Sequence, residues 1–410
     1  MLRTKGDSMK RTFATMILGL GLTALLAVAG CGGEKKDDAA GAKPGADIRI
    51  GGIIDLSGPT SSVGAPYAEG VKAGAAYLNA NGGIGGAKIV LDVQDDAYNV
   101  QQGLSIYKKF AQEKVAAIQG YGTAVTEALT RMAAKDEIPY FSASYSAHLT
   151  DPKTAPYNFF TSADYSTQVR AGLKYFKANW KEARAPKLAF LYPDHPYGLA
   201  PIAAAKEYAA ELGFELVGEA TVDLKAIDAT TQLLPFKDKK PDFIWVGGTT
   251  PSTAVILKDA KKIGLKATFL TNIWGSDENL LKMAGDACEG AYSLQAAAVY
   301  GQNVPGMDAL MALAKDQPQM THYVRGFVSM LVMGEGLRLA AAKGPLTGPS
   351  IKAALESMTD YDPLGLAPKV TFLPTDHRPS MAVFLYKISG GKLTFVAQES
   401  LERKAEWLGK

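Results

Sequence analysis

The sequence predicts an α/β protein built as two doubly wound parallel-sheet lobes joined by a three-stranded hinge. Three observations predict it. Ile48 to Asp96 reads as strand, polar loop, helix, glycine turn and strand, the opening βαβ unit of a parallel sheet. Apolar strands and helical segments then alternate as far as Thr271. A chain of 410 residues, 47% apolar and 21% charged, is globular in composition and has room for two ordinary domains.

The first strand carries Ile48, Ile50, Ile53 and Ile54, reaches Leu56 and stops at Ser57-Gly58-Pro59. Ser57, Thr60, Ser61 and Ser62 then leave backbone and hydroxyl donors at the carboxyl end of that strand, where open α/β sheets place ligands. From Pro66 the spacing is helical, with Val71, Ala75 and Leu78 on one face, until Asn81-Gly82-Gly83. A strand from Lys88 to Val93 ends in Asp95-Asp96, a pair suited to a turn or hinge. A helix from Val100 to Gln112 and a strand from Val115 to Gln119 follow, then Gly120-Tyr121-Gly122-Thr123-Ala124-Val125-Thr126 and a helix through Ala134. A glycine-rich loop entering a helix presents free N–H groups and a favourable dipole to an anion, so this loop is the first choice for a ligand carboxylate. Thr123 or Thr126 also fits a helix cap, and the two roles are compatible.

The next strand, Ile138 to Ser142, ends in a hydroxyl-rich loop through His148, and Tyr157 to Phe160 is a short strand. A second βα domain starts near Ser162: a helix from Gln168 to Trp180, a strand from Lys187 to Tyr192 and a helix from Leu199 to Leu212, then strands Phe214 to Thr221, Asp242 to Val246 and Ala267 to Thr271. The apolar run from Tyr323 to Ala342 is interrupted by Arg325, Glu335 and Arg338, so it reads as a buried helix and not a membrane span. Another helix runs from Thr347-Gly348-Pro349 to Met358. Val370 to Leu373, Met381 to Ile388 and Leu393 to Val396 read as strands, with a hairpin turn at Gly390-Gly391. The resulting division is residues 48–161 and 296–370 in lobe 1, 162–295 and 371–400 in lobe 2, and a tail at 401–410.

Residues 1–30 read as a signal peptide: Arg3, Lys5, Lys10 and Arg11, an apolar run from Phe13 to Ala29, and small residues before Cys31. A cysteine at that place predicts cleavage before it and lipidation on it. An uncut anchor fits less well, because the run of about 17 residues stands at the short limit for a span. Residues 31–47 hold glycine, alanine and charge without apolar periodicity and read as a flexible tether. Four of the 44 basic and one of the 41 acidic residues precede Cys31, which leaves 40 of each. That balance leaves no basic field for nucleic acid. Cys288 then stands alone, which excludes an internal disulfide and suits a small core residue.

The order of Ser57-Gly58-Pro59, small-residue loop, helix, Gly82-Gly83-Ile84 turn and Asp95-Asp96-Ala97 resembles bacterial solute-binding proteins of the leucine/isoleucine/valine-binding family, with its type I periplasmic binding fold. Ala284 to Gly290, reading AGDACEG, and the helix from Tyr323 extend the resemblance over roughly Ile48 to Val396. It implies that Thr123 takes a ligand carboxylate and that Ser144, Tyr145 and Ser146 match a second loop touching it. Tyr145 stands where a small residue is usual; it fills the site, stacks on a flat ligand, or points outward. Tyr197 matches an aromatic that covers the ligand and Thr249 another cleft residue, although each also reads as an ordinary loop residue. Amino-acid binders of the family place a carboxylate for the ligand's ammonium where Ile273 and Trp274 stand here. A hydrogen bond to a charged group contributes about 1.5 to 3 kcal/mol and costs more when left unmade, which argues against an α-amino acid. Asp277 either reaches back to the site or caps a helix, and Trp274 offers a flat aromatic wall. Val63, Tyr98 and Gly122 replace the family's first-loop aromatic and cysteine pair.

Other chemistry is poorly supported. Gly82 to Gly86 follows a helix and precedes a strand, the reverse of a dinucleotide loop. His148, His195, His322 and His377 lack metal-ligand spacing, and neither a G-x-S-x-G nor a Cys-His signature occurs. The expectation is therefore a non-enzymatic, lipid-anchored, monomeric solute-binding protein at the periplasm or cell surface, without cofactor or metal. It would bind a small carboxylate- or amide-bearing solute by hinge closure and serve an ABC permease in the membrane. The alternative is a ligand-sensing receptor or amide sensor of the same fold; the signal and Cys31 disfavour a cytoplasmic sensor, and a receptor would need transmembrane and signalling segments after Lys410.

Overall fold

A computed structural model describes residues 46–315 and 317–410. The expected signal peptide, Cys31 and the tether as far as residue 45 lie outside the described residues.

Strands β1 (Ile48–Ile54), β2 (Ile89–Asp95), β3 (Ala117–Tyr121), β4 (Tyr140–Ala143) and β5 (Asn158–Phe159) form a parallel sheet in the order β2-β1-β3-β4-β5. A second sheet contains β6 (Lys187–Tyr192), β7 (Glu215–Thr221), β8 (Phe243–Val246), β9 (Thr268–Thr271), β10 (Tyr292–Gln295), β11 (Ala382–Ser389) and β12 (Lys392–Ser400). Its order is β12-β11-β10-β9-β8-β6-β7, parallel from β7 to β10 and closed by the antiparallel β11–β12 hairpin. Gly390 and Gly391 make the hairpin turn at φ 59° and 69°, a region only glycine enters without strain. The first five strands of the second sheet repeat the order of the first. In each sheet the winding reverses once, between β1 and β3 and between β6 and β8, which are the positions where such sheets open a crevice.

The helices cover both faces because the strands are apolar on both. Beneath the first sheet, the Ser61–Ala80 helix lies against the Thr321–Ala341 helix, which is buried along almost its whole length. Gly70 and Gly326 make that approach possible: a Cβ on Gly70 would collide with the Tyr323 carbonyl, and one on Gly326 with the Tyr67 carbonyl. Among the described residues, no helix is long and apolar enough to cross a membrane. Cys288 is buried, as the sequence predicts, and its thiol donates to the Gly285 carbonyl at 2.9 Å. The chain end is packed too, with Trp407 4.5 Å from the Arg170 guanidinium.

Three local expectations need correction. The first helix begins at Ser61, not Pro66, because Asp55 accepts the Thr60 N–H at 2.8 Å and its hydroxyl at 2.7 Å and draws the loop into the helix. Strand β10 was not foreseen. Val370 to Leu373 forms no strand; Val370 only bridges to Tyr361 and Leu373 to Asp376.

Candidate functional site

A narrow cavity of about 10 Å³, close to the space of a single water, lies between the carboxyl ends of the two sheets. Thr60, Tyr98, Tyr121, Gly122, Thr123 and Ala143 line it from the first sheet's side, and Tyr165, Tyr197, Thr249 and Trp274 from the second's. Each arrives by a short route. Thr60 follows β1, Tyr98 follows β2, and Tyr121 ends β3. Gly122 at φ 92° turns the chain into the Thr123–Lys135 helix; a Cβ there would also strike the Tyr98 ring. Tyr197 follows β6, Thr249 follows β8, and Trp274 follows β9.

The predicted residues separate into two groups. Thr123, Tyr197, Thr249 and Trp274 line the cavity. Ser144, Tyr145 and Ser146 are buried behind it. The Ser144 hydroxyl donates to Thr123 Oγ1 at 2.9 Å and lies 3.4 Å from that of Ser146. Of the alternatives for Tyr145, the outward one does not hold: its ring stacks on Trp274 at 5.3 Å and 26°. Tyr197 Oη donates to the Gly248 carbonyl at 2.9 Å and accepts from Asn272 Nδ2 at 2.6 Å. Thr249 Oγ1 is buried without a hydrogen-bond partner.

Trp274 is fixed on every side. Its N–H is received by Asn272 Oδ1 at 2.8 Å and its indole Nε1 donates to Tyr165 Oη at 2.9 Å. Tyr165 also faces the Thr123 hydroxyl, and burial pushes its phenol up to about 12. Tyr98 Oη faces the Thr123 N–H, and burial raises this phenol too. Both phenols are therefore neutral near pH 7. Asp277 caps the Glu278–Ala284 helix by accepting from Asn279 and Leu280, so it does not reach back into the cavity. Its second oxygen lies 3.0 Å from His322 Nε2. Burial, together with Arg325, pushes His322 down and keeps the imidazole neutral. Arg325 is itself buried; it contacts His322 Nδ1 at 3.1 Å and Gln295 Oε1, and burial brings it down to about 10, still charged near neutrality.

Asp55, Asp95 and Asp96 meet near the β1 and β2 ends, with ligand atoms within 4.8 Å of one another. Asp55 accepts from Gly58 and Thr60, and Asp95 from Leu56, Ser57 and Ala97, so these carboxylates tie the two loops together. Burial, helped by the charges of Asp55 and Asp95, pushes Asp96 up to about 7.

Sequence reasoning did not find Ala143 or Tyr165, included Tyr121 and Gly122 only as part of the glycine-rich loop before Thr123, and noted Tyr98 only as a replacement. The available signal was an aromatic at a strand's carboxyl end beside glycine, as in Tyr121-Gly122.

The sequence pattern of the family described as "Periplasmic binding protein" matches residues 47–392. The chain is 26% identical over 246 residues to Leu/Ile/Val-binding protein homolog 1 of Brucella suis biovar 1 (strain 1330), covering 60% of this chain and 66%, just under two thirds, of that relative. The crystal structure of a branched chain amino acid ABC transporter from Thermus thermophilus with bound valine superposes with a TM-score of 0.81 at 24% identity, over 88% of this chain and 97% of that one. An ABC transporter substrate binding protein from Aeropyrum pernix gives 0.80 at 29% identity, over 88% and 98%. With both sheets in the same doubly wound order and the match extending through both, this chain belongs to the periplasmic binding protein family.

Proposed function

We propose that this chain is the extracytoplasmic solute-binding component of an ABC importer. It takes a small carboxylate- or amide-bearing solute between its lobes and presents the closed form to a membrane permease. The observation that carries this reading is the cavity itself, whose wall is divided between loops of the two sheets, so that a bound solute favours closure. The relatives support it: a Leu/Ile/Val-binding protein homolog and two ABC transporter binding proteins share the family or the fold.

In this reading Thr123 takes the carboxylate, Ser144 and Ser146 orient it, and Tyr197, Thr249 and Trp274 close over the solute, with Tyr145 behind Trp274. Residues 48–161 and 296–370 move as one lobe against 162–295 and 371–400, and the protein acts as a monomer without cofactor or catalysis. Cys31 carries the lipid that holds it at the membrane, at the periplasm or cell surface. The sensor alternative draws no support from these relatives.

Two measurements test the proposal. Small-angle scattering and thermal melting with a panel of amino acids, amides and aromatic acids should give one solute that compacts the protein and raises its Tm; no change with any member would reject solute binding. Cys31→Ala should release the protein from membranes, and continued membrane fractionation would reject the lipid anchor.

A further inference from the structure

We infer that the cavity selects a single-ring aromatic carboxylate that lacks an α-ammonium group. The inference rests on the solute-binding reading above and adds the ligand class to it.

The lining holds no aspartate, glutamate, lysine or arginine. An ammonium drawn from water into such a wall would meet no carboxylate, and an unpaired buried charge is costly. The acids nearby stand outside the lining. Asp55, behind Thr60, accepts from Gly58 N–H, Thr60 N–H and the Thr60 hydroxyl. Asp96, behind Tyr98, accepts that residue's N–H with one oxygen while its other is buried without a partner, and Asp277 caps its own helix.

Hydrogen-bond donors, in contrast, converge from both sides. The Thr123 N–H, at the start of a 13-residue helix, faces Tyr98 Oη. The Thr123 hydroxyl faces Tyr165 Oη, which also receives Trp274 Nε1–H at 2.9 Å. Ser144 Oγ donates to Thr123 Oγ1, which leaves the Thr123 proton directed away from Ser144. The neutral Tyr165 phenol oxygen thus takes a donor that a carboxylate oxygen would take with a full charge. Thr249 Oγ1, buried and unpartnered in the same wall, is a further group available to a ligand. Behind Trp274 the Arg325 guanidinium adds a buried positive charge 4.9 Å from the ring centre.

The rest of the ligand is set by shape. Five of the ten lining residues are aromatic. Tyr121 meets Trp274 edge-on at 5.9 Å and 78°, and Tyr165 meets Tyr197 at 5.5 Å and 70°, so the wall offers both ring faces and ring edges to a planar guest. At about 10 Å³ the cavity has room for little more than one water as it stands, so a solute enters only as the walls part, and one ring asks less of that opening than two.

The test compares 3-phenylpropionate with L-phenylalanine, which differ only by the ammonium, with benzoate and L-leucine alongside, by calorimetry on the folded protein. We expect 3-phenylpropionate or benzoate to bind at least tenfold more tightly than either amino acid. Trp274→Phe, which keeps a ring and removes the indole donor, should lose about tenfold for the carboxylate while its circular dichroism stays unchanged. Equal or tighter binding of phenylalanine or leucine would overturn the ligand class and leave the solute-binding reading in place. No heat and no thermal shift with any of the four would overturn the class, and a negative panel in the broader solute screen would overturn the reading itself.

Discussion

The guanidinium of Arg325 lies 4.9 Å from the centre of the Trp274 ring, and the two come from different parts of the molecule. Arg325 belongs to the helix packed beneath the first sheet, and Trp274 to the loop after β9 of the second. Glu278 strengthens the same junction by accepting the Thr321 N–H at 2.9 Å and its hydroxyl at 2.7 Å. The cavity's aromatic wall is therefore backed by a buried cation from the opposite side of the fold.

Arg325→Met should lower the unfolding free energy by about 2–4 kcal/mol, since buried hydrogen bonds from a charged group contribute about 1.5–3 kcal/mol each and their partners would be left unmet. Urea denaturation measures it. Arg325→Lys should not restore the loss, because an ammonium lacks the planar face that stacks on indole; wild-type stability in either variant would refute the role.

Thr123→Ala should weaken a carboxylate ligand by about 1.5–3 kcal/mol, the contribution of a charge-assisted hydrogen bond. Thr123→Ser keeps the hydroxyl and should stay close to wild type. Calorimetry with 3-phenylpropionate decides it, and equal affinity in all three proteins would remove the hydroxyl from the site.

Asp96 gives a pH dependence whose sign is fixed. Burial raises its folded pKa to about 7 from an ordinary 3.8, so between these values the folded state holds a proton that the unfolded state has released. The stabilising contribution is complete below about pH 4, declines as pH rises through 7, and is level above. Asp96→Asn should therefore gain stability relative to wild type by about 1–3 kcal/mol on going from pH 5 to pH 8, given about 1.4 kcal/mol for each pH unit of displacement. Urea midpoints of both proteins at the two pH values supply the comparison; parallel curves would contradict it.

Gly326→Ala should destabilise by about 1–3 kcal/mol or more, as overpacking does, because its methyl group would meet the Tyr67 backbone and not a movable side chain. Gly85→Ala, in open space but at φ 59°, supplies a control governed by backbone strain alone. Thermal melts compare the two variants with wild type, and a Gly326→Ala protein that melts with wild type would show that the helices can separate without loss.

Much of the fold is legible in the sequence because its strands carry their own signal. Lys187 to Tyr192 is placed to the residue, and Val100 to Gln112 likewise, helped by Asn99, which accepts from Gln101 and Gln102 as a cap. Strand β10 is different. Tyr-Ser-Leu-Gln alternates apolar and polar residues, but four residues without a β-branched side chain are too short a signal, and it is a strand because β9 and β11 lie on either side. Val370 to Leu373 errs the other way, with β-branched and aromatic residues that lack a neighbouring strand to pair with. The same division holds in the cavity. Thr123 is visible from its glycine-rich loop and helix start, whereas Tyr165 becomes a lining residue only when the chain crosses between sheets and brings its hydroxyl to Trp274. Asp55 reads as one more polar residue after a strand until its oxygens are seen to hold Gly58 and Thr60.

The repetition of strand order in the two sheets has a consequence for how this protein can be tuned. Each half contributes a matching crevice and neither encloses a guest by itself, so affinity depends on the free energy of bringing the halves together as much as on what they touch. A substitution far from any contact, in the segments that pass between the halves, can then shift the dissociation constant by changing how often the competent arrangement occurs, with chemical preference left as it was.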